Sequence, residues 1–189
     1  DNDAYLVGDA RRKPWPGRFC ADALFVSFSP HIGAGPLIQN YQNASQLKAT
    51  TRKDDLWDNR GVGLALFAIG LAKKVLIAEG IEPYASSLFA MAERGDTPGL
   101  VAAWFGATAY ALQIFFDFSG YSDMALGLAR CLGYRLPVNF NGPYKSASIV
   151  EFWRRWHITL SHFLRDHLYI PLGGNRQGET RRSINLMAT

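Results

Sequence analysis

Residues 97–116 read TPGLVAAWFGATAYALQIFF, twenty residues without a formal charge and rich in Ala, Phe, Trp, Leu and Val. At about 1.5 Å per helical residue the run extends about 30 Å, the thickness of a bilayer's hydrocarbon core. Gly99, Gly106 and several alanines leave room for a second helix to lie close. The stretch predicts a membrane-spanning helix, with a helix buried in a soluble core as the alternative. The apolar run ends in Asp117-Phe-Ser-Gly-Tyr-Ser-Asp123, and Met124–Gly133 reads as a second helical stretch. A carboxylate at membrane depth is a functional candidate by default. Gly120 lies between the two, and Asp and Ser favour helix ends, so a capping or hydrogen-bonded role is preferred to a metal pair.

Working toward the N-terminus, residues 83–96 read as a polar turn that begins at Pro83. Residues 61–82 predict a helix with closely spaced small residues, and Lys73 and Lys74 stand near its end, where long side chains can reach an interface. Residues 48–60 are charged and read as a connector. Residues 23–47 again carry no Asp, Glu, Lys or Arg, but Pro30, Gly33, Gly35 and Pro36 would break one straight helix. Such a break is tolerated in lipid only where protein or a water-filled cavity satisfies the backbone. The expectation is a helix to Ser29 followed by a re-entrant turn, and a polar loop over residues 1–18.

These readings change the meaning of the average composition. The chain has 189 residues, 48% of them hydrophobic, with a mean hydropathy near zero, as in a soluble globular domain. Five Trp, eight Tyr and twelve Phe argue against disorder. Two distant cysteines, Cys20 and Cys131, exclude a disulfide scaffold. Residues 1–140 balance thirteen basic against thirteen acidic side chains, so the whole surplus of +4 lies in residues 141–189. There the basic residues alternate with Trp, Leu and Ile, which speaks against a nucleic-acid partner and for the flank of a membrane segment. The chain opens on Asp1 without a signal peptide, and residues 183–189 begin an apolar run. Both features predict one partial domain, residues 1–189, of a longer all-α, multi-pass membrane protein.

Residues 149–170 predict an aromatic amphipathic helix. On a wheel of about 100° per residue, Phe152, Trp153, Trp156, His157, Leu160, Phe163, Leu164, His167 and Leu168 share one arc, with Arg154, Arg155, Arg165 and Asp166 opposite. Such a helix suits an interface or a packed membrane core. Pro171 stops it, and Gly173-Gly174-Asn175 forms a turn with only a weak likeness to a phosphate-cradling loop. His157 and His167 lie on the apolar side, where an imidazole can be a base, a ligand or a satisfied core residue. Ten residues, about 15 Å of helix, separate them, which disfavours a shared metal. In Pro137–Tyr144, Asn139 and Asn141 can bond to backbone or to substrate.

The strings QIFFDFSGYSDMALGLARCLGYRLPVNFNGPY (113–144), EFWRRWHITLSHFLRDHLYIPLGGNR (151–176) and FVSFSPHIGAGPLIQNY (25–41) resemble the membrane-bound O-acyltransferase family. The likeness is to the bacterial branch of alginate O-acetyltransferases and D-alanyl transfer proteins. The resemblance implies a multi-pass enzyme of the inner membrane that moves an acyl group to a hydroxyl of an exported polysaccharide such as alginate. The donor would be acetyl-CoA or another thioester, with no bound cofactor and no metal. Lipid, the polysaccharide acceptor and other polymer-acetylation proteins would be its partners.

His157 falls on the first of two family histidines. The second, the principal base, lies in a downstream Trp-His-Gly segment that these 189 residues do not include, so this stretch alone would be inactive. Where His167 stands the family often has Tyr, which makes it a variable position. The expected site is therefore catalytic His157, in an orienting role, with Asn139, Asn141, Tyr144, Trp153, Trp156 and Asn175 as candidate substrate contacts. A sugar hydroxyl is a poor nucleophile at neutral pH, and a positioned base that takes its proton is worth ~10²–10⁴ in rate. Two other classes compete: a transport or scaffold subunit and a soluble helical interaction domain. The first calls for inverted repeats and paired intramembrane charges, and the sequence displays neither.

Overall fold

The computed structural model describes residues 53–176 and 178–189, with side chains from residue 57 onward. The readings for residues 1–52, including the re-entrant turn, Cys20 and His31, lie outside the described residues. Within them the chain is all-helical, with no strand. Helix α1 (Lys53–Ala72) passes through a π-helical segment, Lys73–Ala78, into α2 (Glu79–Glu93). Helix α3 (Leu100–Cys131) returns antiparallel against both. Trp57–Glu93 and Leu100–Cys131 are long and apolar enough to cross a membrane. Downstream lie a 3₁₀ turn (Pro143–Lys145), α4 (Ile149–Arg155), α5 (Ile158–Leu164), a second π segment (Arg165–Tyr169) and α6 (Gly178–Ala188).

Several expectations are corrected here. Residues 53–60 of the supposed connector are already helical, and Arg60 sits over the Trp57 ring at 5.3 Å. The turn expected at Pro83 is helix through to Glu93. Proline gives up the bond that an N–H would make one turn back and crowds the carbonyl there. Packing of Leu88 onto Gly106 of α3 holds the helix on the far side. The reversal comes at Gly95 instead, with φ 78°. There the amides of Gly95 and Asp96 bond back to Ala92 O and Met91 O at 3.0 and 3.1 Å, closing a Schellman cap.

Helix α3 also runs without interruption through Asp117-Phe-Ser-Gly-Tyr-Ser-Asp123, where a break was expected. Gly120 serves close approach there, not a turn. A Cβ on Gly120 would lie 2.7 Å from Gly70 O, and one on Gly70 would lie 2.5 Å from Gly120 O. Seven residues away the contact repeats: Gly63 and Gly127 would each meet the other's carbonyl oxygen, at 2.7 and 2.5 Å. The heptad spacing on both helices keeps one face in register along an antiparallel pair.

Lys73 and Lys74 lie in mid-helix, not near an end. Lys73 pairs with Asp123 and Lys74 with Asp117, each at 2.5 Å. In the π segment the Glu79 amide reaches back five residues to Lys74 O. The extra residue in that turn lets consecutive lysines grip α3 on either side of Gly120. Two charge pairs thus lie between helices of spanning length, where the sequence alone displays no pairing.

Two outcomes follow for stability. Gly70→Val should separate the helices and cost about 1–3 kcal/mol, whereas Gly80→Ala, with nothing within 4 Å, should be neutral or slightly stabilising; thermal unfolding in detergent compares them. Asp123→Asn leaves Lys73 without its carboxylate in a helix of spanning length, and a lone charge at the centre of a span costs about 2.5–3.5 kcal/mol on insertion scales. The double variant Lys73→Met/Asp123→Asn should recover much of the lost membrane-inserted yield, measured by fluorescence-detected size exclusion.

Candidate functional site

The predicted single helix over residues 149–170 is two short helices and a π segment, broken at Trp156 and His157. Trp156 is extended, at φ -99° and ψ 127°, and His157 is left-handed, at φ 44° and ψ 54°. It is the one non-glycine residue with positive φ among the described residues. A side chain in that conformation costs roughly 1–2 kcal/mol and persists where surrounding bonds fix it. Loop 137–142 supplies them. The Asn141 amide donates to Arg155 O at 3.0 Å, and the Ile158 amide donates to Asn139 O at 2.9 Å. A helical wheel cannot anticipate this, because the bonds that break the helix come from a loop fourteen to nineteen residues earlier.

Each short helix is capped by its own sequence. Ser148 caps α4, its Oγ accepting from the Glu151 amide at 3.2 Å. The Glu151 carboxylate accepts from the Ala147 amide and from Arg155, and these bonds hold its carboxyl below the usual range. His157 caps α5, its Nδ1 accepting from the Leu160 amide at 3.3 Å. A ring whose Nδ1 accepts carries its proton on Nε2 in the neutral form. Burial pushes the imidazole below the ordinary histidine range, and protonating Nδ1 would forfeit the Leu160 bond as well.

The ring sits against aromatic walls. Phe118 of α3 meets it edge-on at 4.8 Å and Phe140 lies at 6.3 Å. Phe140 in turn contacts Phe115 and Trp156, at 5.9 and 5.2 Å. Trp156 stacks on Phe152 at 5.5 Å, and Tyr144 meets Phe115 at 5.2 Å while its hydroxyl donates to Ala111 O at 2.8 Å. Burial pushes the Tyr144 phenol up. The result is a half-buried neutral imidazole in an apolar, aromatic setting. It can donate a proton from Nε2 to an oxygen that gains negative charge.

The structure brings His157, Asn139, Asn141, Tyr144 and Trp156 into one cluster. Asn139 is 1% exposed, and its side chain bonds to Ser122 and Thr159. Asn141 is exposed and joins the cluster through its backbone. Trp153 is 56% exposed, beside exposed Ile149 and Val150. Asn175 belongs to a different turn: its Oδ1 accepts from Tyr169, while Asn185 of α6 donates to Leu172 O and Gly174 O. His167 is exposed and stacks on Phe163 at 4.4 Å. Among the described residues no three His, Cys, Asp or Glu side chains gather as a metal site. Sequence reasoning did not single out Phe118, Phe140, Ser122 or Thr159. The available hint was Thr159, a β-branched hydroxyl two residues beyond the histidine.

The histidine's folded-state value lies below the ~6.5 of the unfolded chain, so the unfolded chain binds the proton first as pH falls. His157 therefore contributes stability that is complete above about pH 6.5 and lost as pH falls through the folded-state value. His157→Asn keeps a residue that tolerates the left-handed turn and can cap α5. It should match the wild type at pH 8 and lose less stability between pH 7 and 5, read from thermal midpoints across that range.

Residues 19–189 match the membrane-bound O-acyltransferase family. The chain is 45% identical over 157 residues to a peptidoglycan O-acetyltransferase of Helicobacter pylori, covering 83% of this chain and 29% of the relative. It is 46% identical over 167 residues to a probable alginate O-acetylase of Pseudomonas aeruginosa, covering 88% and 31%. A teichoic acid D-alanyltransferase of Bacillus subtilis is 30% identical over 146 residues, covering 77% and 36%. The chain thus spans about a third of the length of these relatives. With spanning-length helices and a histidine turn inside the matched region, the chain belongs to the membrane-bound O-acyltransferase family.

Proposed function

We propose that the complete protein is an inner-membrane, multi-pass O-acetyltransferase that moves an acetyl group from a thioester, such as acetyl-CoA, to hydroxyls of an exported polysaccharide such as alginate. The observation that carries this reading is the His157 turn: a neutral imidazole, fixed at a strained position within the 151–176 string that resembles the family. Relatives of similar identity act on peptidoglycan and alginate by name, and both are polymers outside the cytosol. The acceptor thus belongs to a chemical class, a glycan hydroxyl, within which alginate is one choice. Lipid surrounds the enzyme, and other polymer-acetylation proteins are its expected partners.

In the reaction the acceptor oxygen attacks the thioester carbonyl, the carbon–sulfur bond breaks, and the hydroxyl proton passes to a base. His157 is set to donate, because Leu160 occupies Nδ1 and the proton sits on Nε2. Its role is then to hold the acceptor or to support the oxyanion as charge develops. The base belongs to another residue, as the family pattern implies. Exposed Trp153 and half-buried Trp156 supply faces that suit a sugar ring or an acyl chain.

His157→Ala in the full-length protein should lower polymer O-acetylation about 10²–10³-fold at an equal level of membrane-inserted protein, measured as ester-linked acetate per polymer. Undiminished acetylation would remove His157 from the mechanism.

A further inference from the structure

We propose that Asn139 is a positioning residue, a buried side chain that ties the left-handed turn at His157 to spanning helix α3 and so fixes the imidazole. The proposal rests on the reading of His157 as a site residue. The first three amides of α5 are donors without partners inside their own helix. Asn139 takes the first two: its main-chain oxygen accepts from Ile158 at 2.9 Å and its Oδ1 from Thr159 at 3.3 Å. The third, Leu160, goes to His157 Nδ1.

This division of donors decides where the ring lies. A capping side chain can accept from either the second or the third amide of a helix. With Oδ1 gone, the Thr159 amide competes with Leu160 for Nδ1, and the ring is free to turn. Oδ1 also accepts from Thr159 Oγ1 at 3.0 Å, so both of its lone pairs are occupied. Nδ2 donates to Ser122 Oγ of α3 at 3.4 Å. Asn139 and Ser122 are 1% and 2% exposed, so this tie lies inside the protein and not in the path of a substrate. Phe118, one turn before Ser122 on α3, forms the wall against the imidazole. Through Asn139 the ring and its wall are referenced to the same helix.

The test uses the full-length protein in nanodiscs with two readouts. One is the rate of diethyl pyrocarbonate labelling at His157, followed by peptide mass spectrometry. The other is acetyl transfer. Asn139→Ala should label severalfold faster than wild type and lose about 10²-fold in kcat with KM little changed. Thr159→Val should move in the same direction, and Thr159→Ser, which keeps the hydroxyl, should restore wild-type values. Wild-type labelling in an Asn139→Ala protein of unchanged thermal midpoint would overturn the proposal. If that variant does not fold, equal labelling in Thr159→Val and Thr159→Ser overturns it instead. Full activity of His157→Ala would sink the catalytic reading alone, while labelling would still judge the tie.

Discussion

At Gly70 and Gly120 two spanning-length helices come so close that a methyl group on either would strike the other's carbonyl oxygen. In lipid, water gives no hydrophobic reward for bringing apolar helices together, so contact of this kind is what holds them. The second meeting, at Gly63 and Gly127, fixes both the separation and the register of the pair. Everything on the far side of α3 inherits that position. Phe115, Phe118 and Ser122 are held where the loop and the histidine turn come to rest against them.

The charges obey the same geometry. Each lysine of the π segment meets one carboxylate on α3, one before Gly120 and one after it. A single carboxylate would be expensive in a span, whereas two neutral pairs flanking a tight contact act as register marks. Sliding the helices by one turn would separate both pairs and drive side chains into the facing backbone.

Much of this was legible in the sequence. The charge-free run from Thr97 marked the first half of α3, and the glycines of residues 61–82 announced a closely packed helix. The continuity of α3 through residues 117–123 was not legible, because whether Asp117 and Asp123 can lie in a helix depends on lysines more than forty residues earlier. The histidine turn was hidden for a similar reason. Periodicity assumes an uninterrupted helix, and residues 152–169 satisfy a wheel well; the bonds that break it belong to Asn139 and Asn141. His157 stood out through the family likeness. Asn139 was recognisable as a polar group in need of partners, but only burial and the occupied lone pairs of Oδ1 distinguish a tie from a substrate contact.

The π segment at Lys73–Ala78 carries a consequence for how these helices align among relatives. The wider turn takes up one residue more than an α-turn holds, whereas the same residue added to an unbroken α-helix would rotate everything after it by about 100°. Gly70 before the segment and Leu88 after it both lie against α3. A relative that lacks one residue between Lys73 and Glu79 would form a plain α-helix there and still turn the same side of α2 toward Gly106. A gap of a single residue in this stretch therefore marks a change of turn and not a change of face.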